Sequence, residues 1–168
     1  GRKQFILQKY EKVDQENVNL DDFILKANTD PEVMFNELNE IVKRLDDVYI
    51  RELLQNVLGD EEIARRLKVW QAGKSIHHAY RSGLLEHVLS CTKLADDLSP
   101  HYGVNKNYVV AGCILHDLCK IYELSDGINV EYTEEGKLVG HLVKILEVID
   151  RFSYRMKDFP YQTKLHLK

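Results

Sequence analysis

The sequence is poor in the features that staple a chain, anchor it in a membrane or bind it broadly to polyanions. Three cysteines, Cys91, Cys113 and Cys119, occur in 168 residues, and no two form a Cys-x-x-Cys pair. This excludes a zinc knuckle or a disulfide framework and points to reduced thiols in the cytoplasm. No apolar stretch reaches the roughly 20 residues of a membrane span, and the opening Gly-Arg-Lys-Gln-Phe has no signal-peptide core. Excess positive charge is also missing. A formal net charge of −4 offers no electrostatic footprint for duplex or long nucleic acid, so any such ligand must be held by a local patch or by something outside these residues. There is no internal repeat and no low-complexity segment. What remains, 44% hydrophobic and 30% charged, is the composition of one soluble globular domain with a sizeable core.

The most informative stretch is Val109-Val-Ala-Gly-Cys-Ile-Leu-His-Asp-Leu-Cys-Lys120. Its first seven residues carry no charge and predict a helix buried on most faces. His116 and Asp117 follow directly, and a buried carboxylate is costly unless its charge is met. A His-Asp dipeptide can be a capping or core-satisfied pair, but a second histidine argues for a metal cation as the partner. Residues 84–99 have apolar side chains at 84, 85, 88, 91, 94, 95 and 98, the spacing of a helix with one buried face. Pro100 to Asn105 makes a short helix-to-helix link, so helices over 84–99 and 105–118 are expected as antiparallel neighbours. His87 lies fifteen residues before Tyr102 and His116 fourteen after it, which brings His87 level with His116 and Asp117. Lys120, three residues from Asp117 and four from His116, shares much the same face and is placed to hold a phosphate.

This order of residues resembles the HD-domain metal-dependent phosphohydrolases: a histidine, a gap of about thirty residues, then His-Asp with a lysine three beyond. The wider stretches His77-His-Ala-Tyr-Arg-Ser-Gly-Leu-Leu-Glu-His87 and Ile114-Leu-His-Asp-Leu-Cys-Lys120 are similar to the YhaM-type 3′–5′ exoribonucleases, with a match from about residue 30 to the end. The fold expected is all-α, an HD-domain helical bundle preceded by a short β-strand segment. Residues 3–13 read as a strand from their β-branched and aromatic content, and they resemble the last strand of the OB-fold, a nucleic-acid-binding barrel, that precedes the HD domain in that family. Residues 1–28 are thus expected to be the end of an OB-fold-like segment with a polar linker over 14–28, and residues 29–168 the HD domain.

Within 29–168, Thr29-Asp-Pro-Glu32 opens a first helix. A second helix spans Tyr49 to Leu58 and stops at Gly59, and Asp60 caps a third through Trp70. Residues 121–133 are expected to be irregular or a short hairpin around Asp126-Gly127. A long helix from about Thr133 to Lys157 carries Leu138, Leu142, Ile145, Leu146, Val148 and Ile149 on its apolar side, Phe159-Pro160 breaks it, and a last helix starts near Thr163.

The resemblance implies site roles residue by residue. His87, His116 and Asp117 hold a metal, His141 serves a second one, and Asp117 bridges the two. The mixed nitrogen and oxygen donors suit Mn, Fe, Co, Ni or Zn, two ions per complete site. Asp117 and Lys120 are the catalytic residues. His77 and His78 face the scissile phosphate or nucleotide, and Arg81 is spaced to fork onto a phosphate. His101 is expected at the surface, and His166 falls outside the pattern. The family places further ligands downstream, so the chain looks like a fragment cut within the OB-fold and within the HD domain, with weak metal binding and little nuclease activity of its own. The expected partner is single-stranded RNA or DNA, bound mostly through an OB-fold the chain lacks. No membrane is expected, and a homo-oligomer is left open. Two other functions stay open: an HD hydrolase of small nucleotides or cyclic dinucleotides, and a catalytically silent helical domain that binds partners.

Overall fold

The computed structural model of the chain describes residues 6–14, 18, 23–127 and 129–168. Among these, the helices are α1 (Pro31–Lys43), α2 (Val48–Leu58), α3 (Glu61–Leu67), α4 (Gly83–Tyr102), α5 (Lys106–Leu115), α6 (Lys120–Glu123), α7 (Glu134–Leu138), α8 (His141–Arg155) and α9 (Tyr161–Leu167). Short polar side chains start most of them by accepting otherwise unpaired N–H groups. Asp30 accepts from Glu32 at 2.7 Å, with Pro31 in the first turn of α1. Asp47 accepts from Tyr49 and Ile50 at 2.9 and 3.0 Å. Asp60 caps α3 through Ile63, and Asn105 caps α5 through Asn107.

One hydrophobic cluster joins the helices. Leu38 of α1, Leu53 and Leu54 of α2, Leu84 and Leu85 of α4 and Ile114 of α5 are each fully shielded from solvent. The α4 helix lies against α1 and α5, α2 meets α1, α5 and α8, and α9 closes on α5 and α8. Burying a large aliphatic side chain contributes about 1.5–3 kcal/mol, so this shared cluster is what fixes the helix ends that carry the polar residues. No helix among the described residues is long and apolar enough to cross a membrane.

The all-α expectation holds, but the strand expected over 3–13 does not. Its first three residues lie outside the described ones. Residues 6–13 form no strand or bridge with other described residues, and Ile6, Leu7 and Tyr10 stand 78–89% exposed. A strand without a neighbouring strand has no ladder for its backbone groups. The expected 14–28 linker is partly docked: Lys26 makes a parallel bridge with Arg81, through Arg81 N–H to the Leu25 carbonyl at 2.9 Å and Ala27 N–H to the Arg81 carbonyl at 3.0 Å.

Helix ends also shifted. The link expected from Pro100 begins later, because α4 continues through Tyr102. It closes with the Gly103 N–H on the Pro100 carbonyl and the Val104 N–H on the Ser99 carbonyl, a paired carbonyl-capping arrangement that satisfies the last turn. The third helix stops at Leu67 rather than Trp70. The helix expected over 105–118 ends at Leu115, and 116–119 form a turn before α6. The antiparallel bridge between Leu124 and Tyr132 gives the expected short hairpin. The long helix from Thr133 is two helices, because Gly140 adopts φ +74 between α7 and α8. Leu138 and Leu142, both placed by periodicity on the buried side, are 78% and 66% exposed, and the buried face of α8 begins at Ile145.

These placements separate two leucines that sequence periodicity treats alike. Leu54→Ala should lower the unfolding free energy by about 2–5 kcal/mol, and Leu138→Ala should change it by no more than about 0.5 kcal/mol. Urea unfolding monitored by circular dichroism measures both. Comparable losses would mean that α7 and α8 form one packed helix.

Candidate metal centre

The α4–α5 hairpin is the scaffold of the centre. Leu84, Leu85, Val88 and Leu89 bury one face of α4 and leave His87 on its flank, 16% exposed. The turn after α5 does the rest. The His116 N–H completes the last helical bond to the Gly112 carbonyl at 2.9 Å, and the Lys120 N–H returns to the Asp117 carbonyl at 3.0 Å. This turn leaves the Asp117 carboxylate 9% exposed while His116 stays at the opening, 40% exposed.

The Asp117 carboxylate has two occupied sides. Oδ2 faces His87 Nε2 at 3.2 Å, His116 Nε2 at 3.4 Å and Lys120 Nζ at 2.8 Å. Oδ1 faces His141 Nε2 at 3.4 Å. The His87 and His116 Nε2 atoms are 3.1 Å apart, while His116 Nδ1–H donates to the Cys113 carbonyl at 3.0 Å. That bond directs the His116 Nε2 lone pair inward. An ion about 2.1 Å from each donor needs donors about 3.0–3.4 Å apart, for octahedral or tetrahedral angles. The separations of 3.1, 3.2 and 3.4 Å among His87, His116 and Asp117 meet that requirement, so this donor set fits a divalent transition metal.

The electrostatics agree with the geometry. Burial pushes the Asp117 carboxyl upward, but hydrogen bonds and charge from His116 and Lys120 outweigh it and hold the group well below the ordinary range. The hydrogen bond to Asp117 raises His116, and desolvation lowers His87. Lys120, expected to face a phosphate, is 17% exposed and ion-paired with Asp117.

His77 and His78 do reach the centre, each with its ring centroid 5.5 Å from that of His87. The chain folds back sharply to bring them there. His78 sits at φ +51 and Ser82 at φ +65, and a Cβ on Gly83 would lie 2.1 Å from the His78 carbonyl oxygen. Only glycine tolerates that approach. His78 Nδ1 lies 3.0 Å from Glu86 Oε2 and 2.9 Å from the Tyr80 hydroxyl. The Tyr80 hydroxyl donates to Glu86, which pushes the phenol up to about 12. Arg81 is half-buried and lines the cleft by Pro31 and Glu32. Because residues 73–80 are not helical, its four-residue spacing from His77 does not create a shared face. His101 is exposed on the last turn of α4, and His166 stacks edge-on against Tyr108.

Sequence reasoning missed Glu123, whose Oε2 bonds His141 Nδ1, and it assigned no role to Glu86. Glu86 stands beside His87 in the quoted motif and could have been marked from there. Glu123 carries no such signal, because its partner lies 18 residues away across two helices.

A family model described as HD domain matches residues 84–167, half of the chain. The chain is 33% identical over 135 residues to a protein named 3′–5′ exoribonuclease YhaM of Oceanobacillus iheyensis, covering 80% of this chain and 42% of that one. It is 33% identical over 144 residues to the protein of that name from Bacillus subtilis, covering 84% and 45%. It is 36% identical over 128 residues to the one from Shouchella clausii, covering 76% and 40%. The chain therefore spans less than half the length of these relatives. No solved structure matches it.

The raised pKa of His116 sets the pH dependence of metal uptake. His87 is already neutral near pH 7, because its pKa is lowered, whereas His116 keeps its proton above its ordinary value of 6.5 and must lose it to become a ligand. Affinity for Mn²⁺ should rise about tenfold per pH unit below the raised His116 pKa and level off above it. Calorimetric titration in buffers of different ionisation enthalpy should show protons released on ion binding, more per ion at pH 6.5 than at pH 8. Uptake without proton release would contradict this assignment.

Proposed function

The chain belongs to the HD domain family, and on that premise we propose that residues 29–168 carry the metal-dependent centre of a 3′–5′ exonuclease acting on single-stranded RNA. The relatives bearing the name exoribonuclease support the substrate class. The observation that carries the reading is the division of Asp117, with one oxygen toward His87 and His116 and the other toward His141. A carboxylate with donors on both sides is the arrangement a two-ion site needs.

Divalent ions held there would polarise a phosphoryl oxygen and lower the pKa of water. The protein's own groups do the remaining work. Asp117, held ionised, would offer Oδ2 to an ion beside His87 and His116 and Oδ1 to one beside His141. Lys120, ion-paired with that carboxylate at 2.8 Å, would be the cation placed to hold a phosphate oxygen beside it. His77 and His78, held over His87, contact the phosphate or the terminal nucleotide, whereas Arg81 lines the separate cleft by Pro31 and Glu32 and is given no role at the centre. A net charge of −4 gives this domain little long-range attraction for RNA, so most of the affinity for the strand must come from elsewhere in a longer protein.

The full-length protein, given a 5′-labelled single-stranded oligoribonucleotide and Mn²⁺, should shorten it stepwise from the 3′ end and stop on addition of a chelator. An intact oligonucleotide alongside hydrolysis of mononucleotides or cyclic dinucleotides would move the function to small-nucleotide hydrolysis. Neither metal uptake nor hydrolysis would leave a helical binding domain.

Lys120→Ala provides a second test. Loss of a charged hydrogen bond to phosphate, about 1.5–3 kcal/mol, should lower kcat/KM about 10- to 150-fold without unfolding the Mn²⁺-loaded protein. Lys120→Arg should restore part of the rate. A variant that fails to fold, but whose soluble fraction keeps full specific activity, would make the lysine structural.

A further inference from the structure

His141 is held from both ends. Its Nε2 faces Asp117 Oδ1 at 3.4 Å, and its Nδ1 bonds the Glu123 carboxylate. Glu123 is 13% exposed and His141 22% exposed, so water competes weakly for either group. An imidazole whose Nδ1–H donates to a carboxylate has its Nε2 lone pair free, and the carboxylate fixes both tautomer and ring angle.

The fold builds a mount for this carboxylate. Thr133 N–H donates to the Glu123 carbonyl at 2.9 Å, and Thr133 Oγ1 reaches the carbonyls of Tyr122 and Glu123 at 2.7 and 3.3 Å. One turn later the backbone of Gly136 packs so closely that a Cβ there would lie 2.3 Å from the Glu123 carbonyl oxygen. Gly140, at φ +74, then redirects the chain so that His141 is the first residue of α8. The five-residue helix α7 has no buried side chain of its own. Its packing instead ties the backbone of Glu123 to the residue that begins α8.

We propose that Glu123 is the positioning residue of the second metal position: it presents His141 Nε2 to an ion shared with Asp117 Oδ1, and the Thr133–Gly136 turn holds Glu123 for that task. The proposal rests on the two-ion reading of the site given above. Glu123 touches neither the ion nor the substrate and acts through His141. The first position, on His87, His116 and Asp117 Oδ2, does not depend on it.

The test is Mn²⁺ binding to the full-length protein by calorimetry, with ions per chain counted independently by paramagnetic resonance. The wild type should bind two ions. Glu123→Ala should weaken the second about 10- to 100-fold and leave the first essentially unchanged, because the Cys113 carbonyl that orients His116 is untouched. Glu123→Gln, which can still accept the Nδ1–H bond, should lie between them, and it serves if the alanine variant does not fold. Gly136→Ala should reproduce the loss at the second position by displacing the Glu123 backbone. In the metal-free wild type, ¹⁵N spectra should show His141 protonated at Nδ1, and Glu123→Ala should shift it toward a tautomer mixture. Two ions in the wild type with unchanged second-ion affinity in a folded Glu123→Ala would overturn the proposal alone, as would equal weakening of both ions. A single ion in the wild type would overturn it together with the two-ion reading.

Discussion

A buried negative charge must be met, and in this protein the charge is on Asp117. Its carboxylate is 9% exposed and has an ammonium and three imidazoles within 3.4 Å. An isolated carboxylate in such a place would take up a proton or unfold its surroundings. Here the opposite holds, because His116 and Lys120 keep it ionised against the effect of burial. The positions of α4, α5, α6 and α8 are the positions from which those partners can reach it.

Each partner comes from a helix end or flank, where the chain changes direction. His116 and Asp117 lie in the turn after α5, Lys120 begins α6, and His141 begins α8. Helix ends suit this role because neighbouring side chains there can diverge, whereas residues inside a helix are bound to its 3.6-residue pitch. The apolar cluster makes these ends rigid. Ile114 and Leu118 are fully buried on either side of the His116–Asp117 pair, so the turn cannot move without opening the core.

Around this centre the second layer of contacts is also polar and also held by backbone. His116 is oriented by the Cys113 carbonyl, His141 by Glu123, and His78 by Glu86 and Tyr80. Orientation of imidazoles by carbonyls and carboxylates is how metal sites keep their donors aimed before an ion arrives. The family to which the chain belongs and the two-sided aspartate thus lead to the same chemistry by separate routes. The first comes from similarity over 84–167, the second from the distances around the Asp117 carboxylate.

Local pattern was enough for the parts that depend on local rules. The apolar spacing of 84–99 marked Leu84, Leu85, Val88 and Ala95 of the buried face but also Leu94 and Leu98, which are 59% and 40% exposed, while Thr92 and Ser99 are buried in their place. The uncharged run before His116 marked a helix with Val110, Ala111, Ile114 and Leu115 buried, and the short link between them implied that His87 would meet His116 and Asp117. That meeting follows from counting residues along two straight helices, because rise per residue is constant. The same counting failed where a glycine interrupted an otherwise periodic pattern. A periodic apolar pattern runs from 138 to 149, but Gly140 turns the chain within it, and Leu138 is left in solvent. The strand expected near the N-terminus failed for a related reason: propensity marks a segment as fit for a sheet, but only a neighbouring strand makes it one. Glu123 was beyond reach altogether. Its pairing with His141 depends on how α6, α7 and α8 fold back on one another, and no local period connects residues on three separate elements. The sequence by itself determined the all-α class, the approximate course of the main helices and the convergence of His87, His116 and Asp117. Only the tertiary structure decided which second-layer groups aim those donors, because that depends on packing distances between elements remote in the chain.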